Sequence, residues 1–180
     1  MTKFKVALAV SAAMFAVPAA AQDAAPDAGG FFVGVVGGYD VINVEAGGVD
    51  ADDTGVTYGV TAGYDVASGK AIIGIEGEVT DTSISDDVGN AGLDLYGGLR
   101  LGYQMDENDI IYLKAGYSRL DVDLADDLEG ARIGAGFQHN FGGFFGRVEY
   151  RYSAYNFSDV LDADINGNRH QLVLALGAKF

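Results

Sequence analysis

Leu93–Gln104 reads L-D-L-Y-G-G-L-R-L-G-Y-Q, and its residues alternate between two chemically different sets. One set is Leu93, Leu95, Gly97, Leu99, Leu101 and Tyr103, and the other is Asp94, Tyr96, Gly98, Arg100, Gly102 and Gln104. Val56–Val66 alternates in the same way. Successive side chains of a β-strand point to opposite faces, so this period of two predicts strands with two different environments.

Eight segments follow this pattern and predict an all-β chain. They span 31–42, 55–66, 71–80, 92–104, 110–119, 131–140, 144–155 and 169–180. Short connections (67–70, 105–109 and 141–143) alternate with longer ones (43–54, 81–91, 120–130 and 156–168). Short periplasmic turns and long outer loops in alternation are typical of an antiparallel barrel in the bacterial outer membrane.

The distribution of charge and aromatic residues indicates which face meets lipid. No Asp, Glu, Lys or Arg falls on the apolar faces of these segments, although 21% of the chain is charged. Aromatic residues of the strands fall near one end (Phe31, Tyr64, Tyr103, Phe137, Phe144 and Phe180) or near the other (Tyr39, Tyr58, Tyr117 and Tyr152). Two aromatic belts mark the two interfaces of a bilayer. We therefore predict an eight-stranded antiparallel up-and-down transmembrane β-barrel, with a soluble barrel or sandwich as the alternative.

The beginning of the chain predicts export. Lys3 and Lys5 precede an apolar run, Val6–Val17, and small residues follow at Ala19-Ala20-Ala21. This order is typical of a secretory signal peptide, and the run is shorter than the roughly 20 apolar residues of a membrane helix. We expect a signal peptide at 1–21, a short periplasmic leader at 22–30 and the barrel at 31–180.

Composition excludes some kinds of protein. Cysteine is absent, so a disulfide framework is excluded, and both prolines precede the first predicted strand. The net charge of −15 becomes −17 once Lys3 and Lys5 are removed with the signal peptide. Because nucleic acid binding depends on neutralising phosphates with basic residues, we expect no nucleic acid partner.

Several short motifs in this order resemble the small outer-membrane β-barrel family, with OmpA-type barrel domains and opacity-type porins as relatives. They are Gly30-Phe31-Phe32-Val33-Gly34, Gly74-Ile75-Glu76-Gly77-Glu78, Lys114-Ala115-Gly116-Tyr117, Val148-Glu149-Tyr150-Arg151-Tyr152 and Leu174–Phe180. The resemblance implies that the barrel-assembly machinery reads the C-terminal strand through Phe180. It also implies contact with outer-membrane lipid and lipopolysaccharide, and it leaves the oligomeric state open.

The polar faces predict a charged lumen. They carry six acids (Asp40, Asp65, Glu76, Glu78, Asp94 and Glu149) and seven bases (Arg100, Lys114, Arg132, Arg147, Arg151, Arg169 and Lys179). Eight strands leave an interior that side chains can fill, so near-neutral pairing indicates a cross-linked plug. The alternative is a narrow or gated porin-like pore, with Glu149 and the arginines as its gate.

The long connections are acidic. The acids are Asp50, Asp52, Asp53, Asp81, Asp86, Asp87, Asp121, Asp123, Asp126, Asp127, Glu129, Asp159, Asp162 and Asp164. The simplest interpretation is a solvated anionic rim. Asp162, Asp164 and Asn166 also match the first half of a calcium loop, but Val173 stands where that loop needs a glutamate, and turn chemistry alone explains the pattern.

Histidine placement argues against an enzyme. His139 falls at the periplasmic end of its segment, and His170 falls at the outer end without a nearby H-x-S pattern. A pairing of His170 with Ser153 or Ser158 across strands is the one catalytic hypothesis left open. We therefore predict a structural or surface-interaction protein without cofactors. A porin-like channel is the alternative, and a lipid-modifying outer-membrane enzyme is a third hypothesis.

Overall fold

A computed structural model describes residues 29–46, 49–83, 85–86, 89–122, 128–156 and 166–180. The predicted signal peptide and all but the end of the predicted leader lie outside the described residues. Within the part of the chain that is described, no helix is long and apolar enough to cross a membrane.

Eight long strands and one short strand account for most of the described residues. They are β1 (Gly30–Ala46), β2 (Val49–Ser68), β3 (Ala71–Thr82), β4 (Ser85–Asp86), β5 (Gly89–Gln104), β6 (Asp109–Val122), β7 (Leu128–Asn140), β8 (Phe144–Asn156) and β9 (Asn166–Lys179). Each long strand corresponds to one predicted segment, and most of them extend further at the end that carries the long connections. The two-residue β4, which pairs with the first residues of β5, was not predicted. β1 begins at Gly30, one residue before the predicted boundary of the barrel.

The eight long strands close into one antiparallel barrel. Neighbours in sequence pair with each other, β3 pairs with β5 across the short β4, and β9 pairs with β1 to complete the ring. Following directly paired residues around the ring from Gly34 leads back to Val44, ten residues further along β1. This stagger is the shear of the barrel, and it fixes the strand tilt at about 40° and the interior at about the width of packed side chains.

The apolar face of each strand points outward, as predicted. Leu99 is 61% exposed and Leu174 is 63% exposed on the outside of the barrel. Asp94 and Arg100 alternate with outward leucines on β5 and are buried inside. A soluble barrel would have the opposite arrangement, so the alternative of a soluble barrel or sandwich is wrong.

Aromatic side chains surround both ends of this outer surface. At the end with the short turns, Phe31 lies opposite Tyr64, and its ring centroid is 6.1 Å from that of Phe180. At the other end Tyr39, Tyr58 and Tyr117 are each more than half exposed. The two predicted belts are therefore present, and the short turns mark the periplasmic end, as in other barrels of this type.

The short turns carry local features that explain their geometry. Gly69 and Gly142 have positive φ angles of 61° and 75°, which glycine adopts without steric cost. In the turn between β5 and β6, the backbone N–H groups of Asn108 and Asp109 donate to the Asp106 carboxylate, each at a distance of 3.0 Å. These hydrogen bonds hold the pKa of Asp106 below its usual range.

Inward-facing glycines form slots for aromatic rings. A Cβ added to Gly116 would come within 2.8 Å of the Tyr96 ring, and one added to Gly136 would come within 2.4 Å of the Tyr112 hydroxyl. A Cβ at Gly63 would likewise lie 2.4 Å from the Phe32 ring. Each aromatic side chain thus approaches a neighbouring strand closely only because that strand has a glycine there.

Charge placed on the outer surface tests the lipid contact. Leu99→Arg, near the middle of the apolar band, is expected to reduce the free energy of unfolding in phospholipid vesicles by about 2–4 kcal/mol. Val66→Arg, at the periplasmic rim, is the matched control, with an expected loss of about 0–1 kcal/mol. Equal effects at both positions, measured by urea unfolding, would contradict a hydrocarbon environment around Leu99.

A second substitution tests the glycine slots. Gly116→Ala is expected to destabilise the barrel by about 1–3 kcal/mol, because the new methyl group overpacks the Tyr96 ring and the backbone of β5. Gly97→Ala is the control, since a Cβ at Gly97 meets nothing within 4 Å. Urea unfolding of both variants gives the comparison, and a Gly116→Ala barrel as stable as the control would show that Tyr96 does not depend on the slot.

Candidate functional site in the barrel lumen

Among the described residues, the lumen holds twelve buried charged side chains, six acidic and six basic. They are Asp40, Asp65, Glu76, Glu78, Asp94, Glu149, Arg100, Lys114, Arg132, Arg147, Arg151 and Arg169. All six acids and six of the seven bases predicted for the lumen are in this set. Lys179 is only partly buried at the periplasmic mouth, so the buried charges balance six to six and not seven to six.

Lys114 is the centre of the largest cluster. Its Nζ lies 2.9 Å from Glu76, 2.9 Å from Glu78 and 2.8 Å from Glu149. These acids project from β3 and β8, whereas Lys114 projects from β6, so the contacts cross the interior of the barrel. One ammonium group therefore joins three carboxylates from two strands.

Arginines complete the charge balance of this cluster. Arg147 lies 2.9 Å from Glu76, and Arg151 Nη2 lies 2.7 Å from Glu78 while its Nε donates to Glu149. The Tyr112 hydroxyl donates to the second oxygen of Glu149 over 2.5 Å. Three acids and three bases are thus interlocked in the middle of the lumen.

A further ion pair lies on the periplasmic side of the cluster. Arg100 Nη1 is 3.1 Å from Asp65, and its Nη2 donates to Gln138 over 2.9 Å. Arg147 donates to the same Gln138 oxygen over 3.2 Å, which links this pair to the cluster. We call these eight charges the inner group: Asp65, Glu76, Glu78, Arg100, Lys114, Arg147, Glu149 and Arg151.

The four remaining buried charges form an outer group, closer to the long connections: Asp40, Asp94, Arg132 and Arg169. Arg169 bridges the two acids, since it chelates Asp40 and lies 2.6 Å from Asp94. Arg132 lies 2.5 Å from the same Asp94 oxygen and also donates to Ser153 over 2.9 Å. Guanidinium groups therefore bind both carboxylates, and the second oxygen of Asp94 accepts a hydrogen bond from Ser118 over 2.7 Å.

Burial makes the pairing of these charges obligatory. Taking a charged group out of water costs several kcal/mol, and removing one member of a buried pair typically costs about 3–5 kcal/mol. All twelve charged side chains form ion pairs within the two groups, and Asp40, which pairs with Arg169, also accepts a hydrogen bond from Thr82. The ion pairs hold these charges in fixed positions. None of the twelve is a histidine, the side chain that exchanges a proton near neutral pH.

Aromatic rings inside the lumen were not identified as part of the network from sequence. Phe32, Tyr96, Tyr112, Phe145 and Tyr155 are all buried. The Arg100 guanidinium lies 4.1 Å from the centroid of the Tyr112 ring, and Arg147 lies 5.1 Å from the Phe32 ring. Cation–π contacts of this kind help to compensate lost hydration. The alternation of the strands could have predicted their place in the lumen, because each ring lies on the polar face of its strand.

His139 and His170 face outward, and His170 does not pair with Ser153. His170 Nδ1 lies 2.7 Å from the Tyr150 hydroxyl, and the ring packs against Tyr152. Ser153 is buried in the lumen beside Arg132, on the opposite face of the sheet, so the hypothesis that pairs His170 with Ser153 is wrong. His139 pairs with Asp109 over 2.5 Å at the periplasmic rim, as its position in the strand predicted. Ser158 lies outside the described residues.

The side chains of most of the predicted acidic loop residues lie outside the described part of the structure. Asp162 and Asp164, the weak calcium candidates, are among them, and the side chain of Asn166 is not described. Of the acids that are described, Asp81 accepts from the Tyr58 hydroxyl over 3.4 Å, and Glu129 accepts from the Tyr117 hydroxyl over 2.5 Å. Among described side chains, no three His, Cys, Asp or Glu residues gather as a metal site.

Known structures share this architecture. The crystal structure of Neisserial surface protein A superposes with a TM-score of 0.57 at 17% identity, covering 83% of this chain and 97% of that one. The attachment invasion locus protein Ail of Yersinia pestis gives a TM-score of 0.51 at 16% identity, covering 81% and 97%. At these identities the likeness shows the fold alone.

Sequence comparison identifies the family. No curated protein matches the chain in sequence. The family described as "Outer membrane protein beta-barrel domain" matches residues 7–180, which is nearly the whole chain and includes every strand of the barrel. That match agrees with the outward apolar face of the barrel, its two aromatic belts and its charged interior. The chain belongs to the outer membrane protein β-barrel domain family.

Proposed function

We propose that this protein is a non-conducting outer-membrane barrel with a structural or surface-interaction role, whose lumen is closed by its charged side chains. The observation that carries the proposal is the neutral, interlocked set of twelve buried charges. Export through a signal peptide ending at Ala21 would deliver the chain to that membrane.

The dimensions of the barrel support closure. An eight-stranded barrel encloses a space about as wide as its own side chains, and here that space contains five buried arginines and one buried lysine. Arg151 reaches Glu78 on the opposite wall, and Lys114 reaches Glu76 past the one strand that lies between them, so both side chains project into the path that an ion would take. A hydrated ion could pass only if several of these ion pairs separated at once.

The distribution of charge supports a role for the outer end. The buried charges of the lumen cancel, so the net charge of −15 arises from residues outside the lumen. Most of the surplus acids occur in the connections opposite the periplasmic turns, at 50–53, 81–87, 121–129 and 159–164. We propose that this anionic end contacts either lipopolysaccharide through divalent cations or a cationic partner.

Bilayer conductance tests the closed lumen. The purified wild-type barrel in planar lipid bilayers is expected to show no steady single-channel steps. Arg147→Ala combined with Arg151→Ala removes two buried guanidinium groups from the inner group, and we expect it to produce ionic steps. Arg119→Ala, which removes an exposed arginine outside the lumen, is the control and should remain silent.

The outcomes of this experiment separate the two candidate functions. Steady steps from the wild-type protein would overturn the closed-lumen proposal and favour a narrow porin-like channel. Silence of the double variant, once gel mobility shows that it has folded, would mean that the two arginines do not close the lumen. A lipid A profile that changes on deletion of the protein would favour a lipid-modifying enzyme instead.

We further propose that the barrel-assembly machinery recognises the C-terminal strand through Phe180. Two backbone hydrogen bonds join Phe180 to Phe31, and the two rings lie side by side at the periplasmic rim. Leu172, Leu174 and Leu176 continue the same outward face of β9. The strand therefore offers a continuous apolar face that ends in an aromatic ring.

Phe180→Ala tests this recognition. The variant is expected to reduce the amount of heat-modifiable, folded barrel in the outer membrane several-fold, while the purified chain still folds in detergent. Phe144→Ala removes another exposed aromatic ring from the same rim and is the control, with little expected change. Equal losses in both variants would indicate a general effect of the aromatic belt and not a recognition signal.

A further inference from the structure

An open groove crosses the outer surface of the barrel. Its volume is about 580 Å³. Sites that take a small molecule usually have volumes of roughly 300–1,000 Å³, so the groove has room for a ligand. The outward-facing residues that line it come from β1, β2, β3 and β5, and they are Phe31, Ala62, Tyr64, Ile75, Gly77 and Leu99.

A difference in side-chain size between neighbouring rows of residues forms the groove. Ala62 on β2 lies directly opposite Gly77 on β3, and these two small residues lie at its floor. On the side towards the periplasmic turns, Tyr64 pairs with Ile75, and Ile75 pairs with Leu99. These three large side chains are exposed and form a ridge beside the floor.

Main-chain atoms of three residues complete the floor. Gly63, Glu76 and Gly98 line the groove, and the Glu76 side chain itself points into the lumen, where it lies 2.9 Å from Lys114. Each of the three is paired with a neighbouring strand on both sides, so its N–H and C=O groups are used in the ladder. They offer a ligand no further hydrogen bond, which favours an apolar occupant.

Neither the backbone conformation nor the packing of described residues requires glycine at position 77. Gly77 is not among the glycines with a positive φ angle. A Cβ added to it would come no closer than 3.8 Å to any atom beyond its chain neighbours, unlike the glycines that receive rings inside the barrel. Glycine weakens the interior of a strand, and it often marks a place where a ligand or another backbone approaches closely. The space above Gly77 is therefore available to something outside the protein.

The groove rises from the periplasmic interface towards the middle of the membrane. Rows of paired residues climb towards the outer end from β1 to β5, because the row that begins at Gly34 returns to β1 ten residues further along, at Val44. Phe31 of the periplasmic belt is at the low end and Leu99 is at the high end. Three strand spacings separate them, roughly 14 Å in all. One leaflet contributes about 15 Å of hydrocarbon, so the groove has about the length of one leaflet's acyl chains.

Continuity with the lipid-facing surface determines what can occupy the groove. It lies within the outward apolar face, where only lipid chains or another membrane protein can reach it. A second barrel would present a convex wall, which would touch the ridge of Tyr64, Ile75 and Leu99 before it reached Gly77. A single flexible hydrocarbon chain can lie along the floor.

We propose that this groove binds one acyl chain of a phospholipid of the periplasmic leaflet. The chain packs over Ala62 and Gly77 and against the ridge, so this lipid exchanges more slowly than the lipids around the rest of the barrel. The proposal goes beyond the function proposed above, and it does not depend on whether the lumen conducts.

Filling the groove with side chains tests the proposal. Ala62→Leu combined with Gly77→Leu places two leucine side chains over the floor and removes the space for an acyl chain. Ala135→Leu is the matched control, because Ala135 points outward near the middle of β7, on the side of the barrel opposite β2, and does not line the groove. Heat-modifiable gel mobility confirms that each variant has folded.

Photo-crosslinking in vesicles measures occupancy. The probe is a phosphatidylethanolamine with a diazirine in its acyl chain, diluted into phosphatidylcholine vesicles that contain the folded barrel. We expect the wild type and Ala135→Leu to be labelled mainly on peptides of β2 and β3, and the double variant to lose this label several-fold. Uniform labelling of the wild type around its circumference would overturn the proposal, and so would an unchanged β2–β3 label in the folded double variant.

Native mass spectrometry gives the number of bound lipids and tests the alternative occupant. Barrels released from these vesicles into mild detergent are expected to retain one phospholipid in the wild type and none in the double variant. A wild type that retains no more lipid than the double variant would contradict the proposal. A wild-type dimer that the double variant cannot form would assign the groove to a second barrel and overturn it. Steady conductance of the wild type would refute the closed lumen alone and leave the expected β2–β3 labelling unchanged.

Discussion

The closed ladder of backbone hydrogen bonds is the constraint on which the rest of this structure depends. Hydrocarbon offers no partner for an N–H or a C=O group, so a sheet that spans the membrane must have no open edge. The pairing of β9 with β1 meets that requirement. Closing eight strands with a stagger of ten residues then determines the width of the interior, and with it how much side-chain volume and how many charges the lumen can contain.

The charged interior follows from the apolar exterior. Because each strand places alternate residues on opposite faces, a face adapted to lipid leaves the other face free for polar residues. Lys114 and Arg151 then connect different walls of the barrel, since each pairs with acids that project from other strands. Buried ion pairs contribute little net stability compared with apolar packing, but mispaired charges are costly, so such a network favours one arrangement over its competitors. We regard conformational specificity as the main physical effect of these pairs.

Strand parity made much of the fold predictable from sequence. The alternation in Leu93–Gln104 was sufficient to place Asp94 and Arg100 inside and the leucines outside. The partners of those charges were not predictable, because contacts such as Arg169–Asp94 cross the lumen and depend on the stagger of all eight strands. The outer ends of the strands were underestimated, since β1 continues to Ala46 and β2 begins at Val49, whereas the predicted segments ended at 42 and began at 55. The pairing of His170 with Ser153 could have been excluded, since the two residues have opposite parity on adjacent strands.

The seam between β1 and β9 has a consequence for folding. Asp40 and Arg169 are 129 residues apart in sequence and meet across this seam, where Phe31 and Phe180 also exchange backbone hydrogen bonds. A slip of the seam by two residues would preserve the apolar exterior, yet it would move Arg169 roughly 7 Å along β9 from Asp40. Both buried charges would then lose their partner. Lipid contact alone cannot distinguish such a slipped ring from the native one. The Asp40–Arg169 ion pair can, because it forms only when β1 and β9 pair in the native register, and it therefore favours the native closure of the barrel.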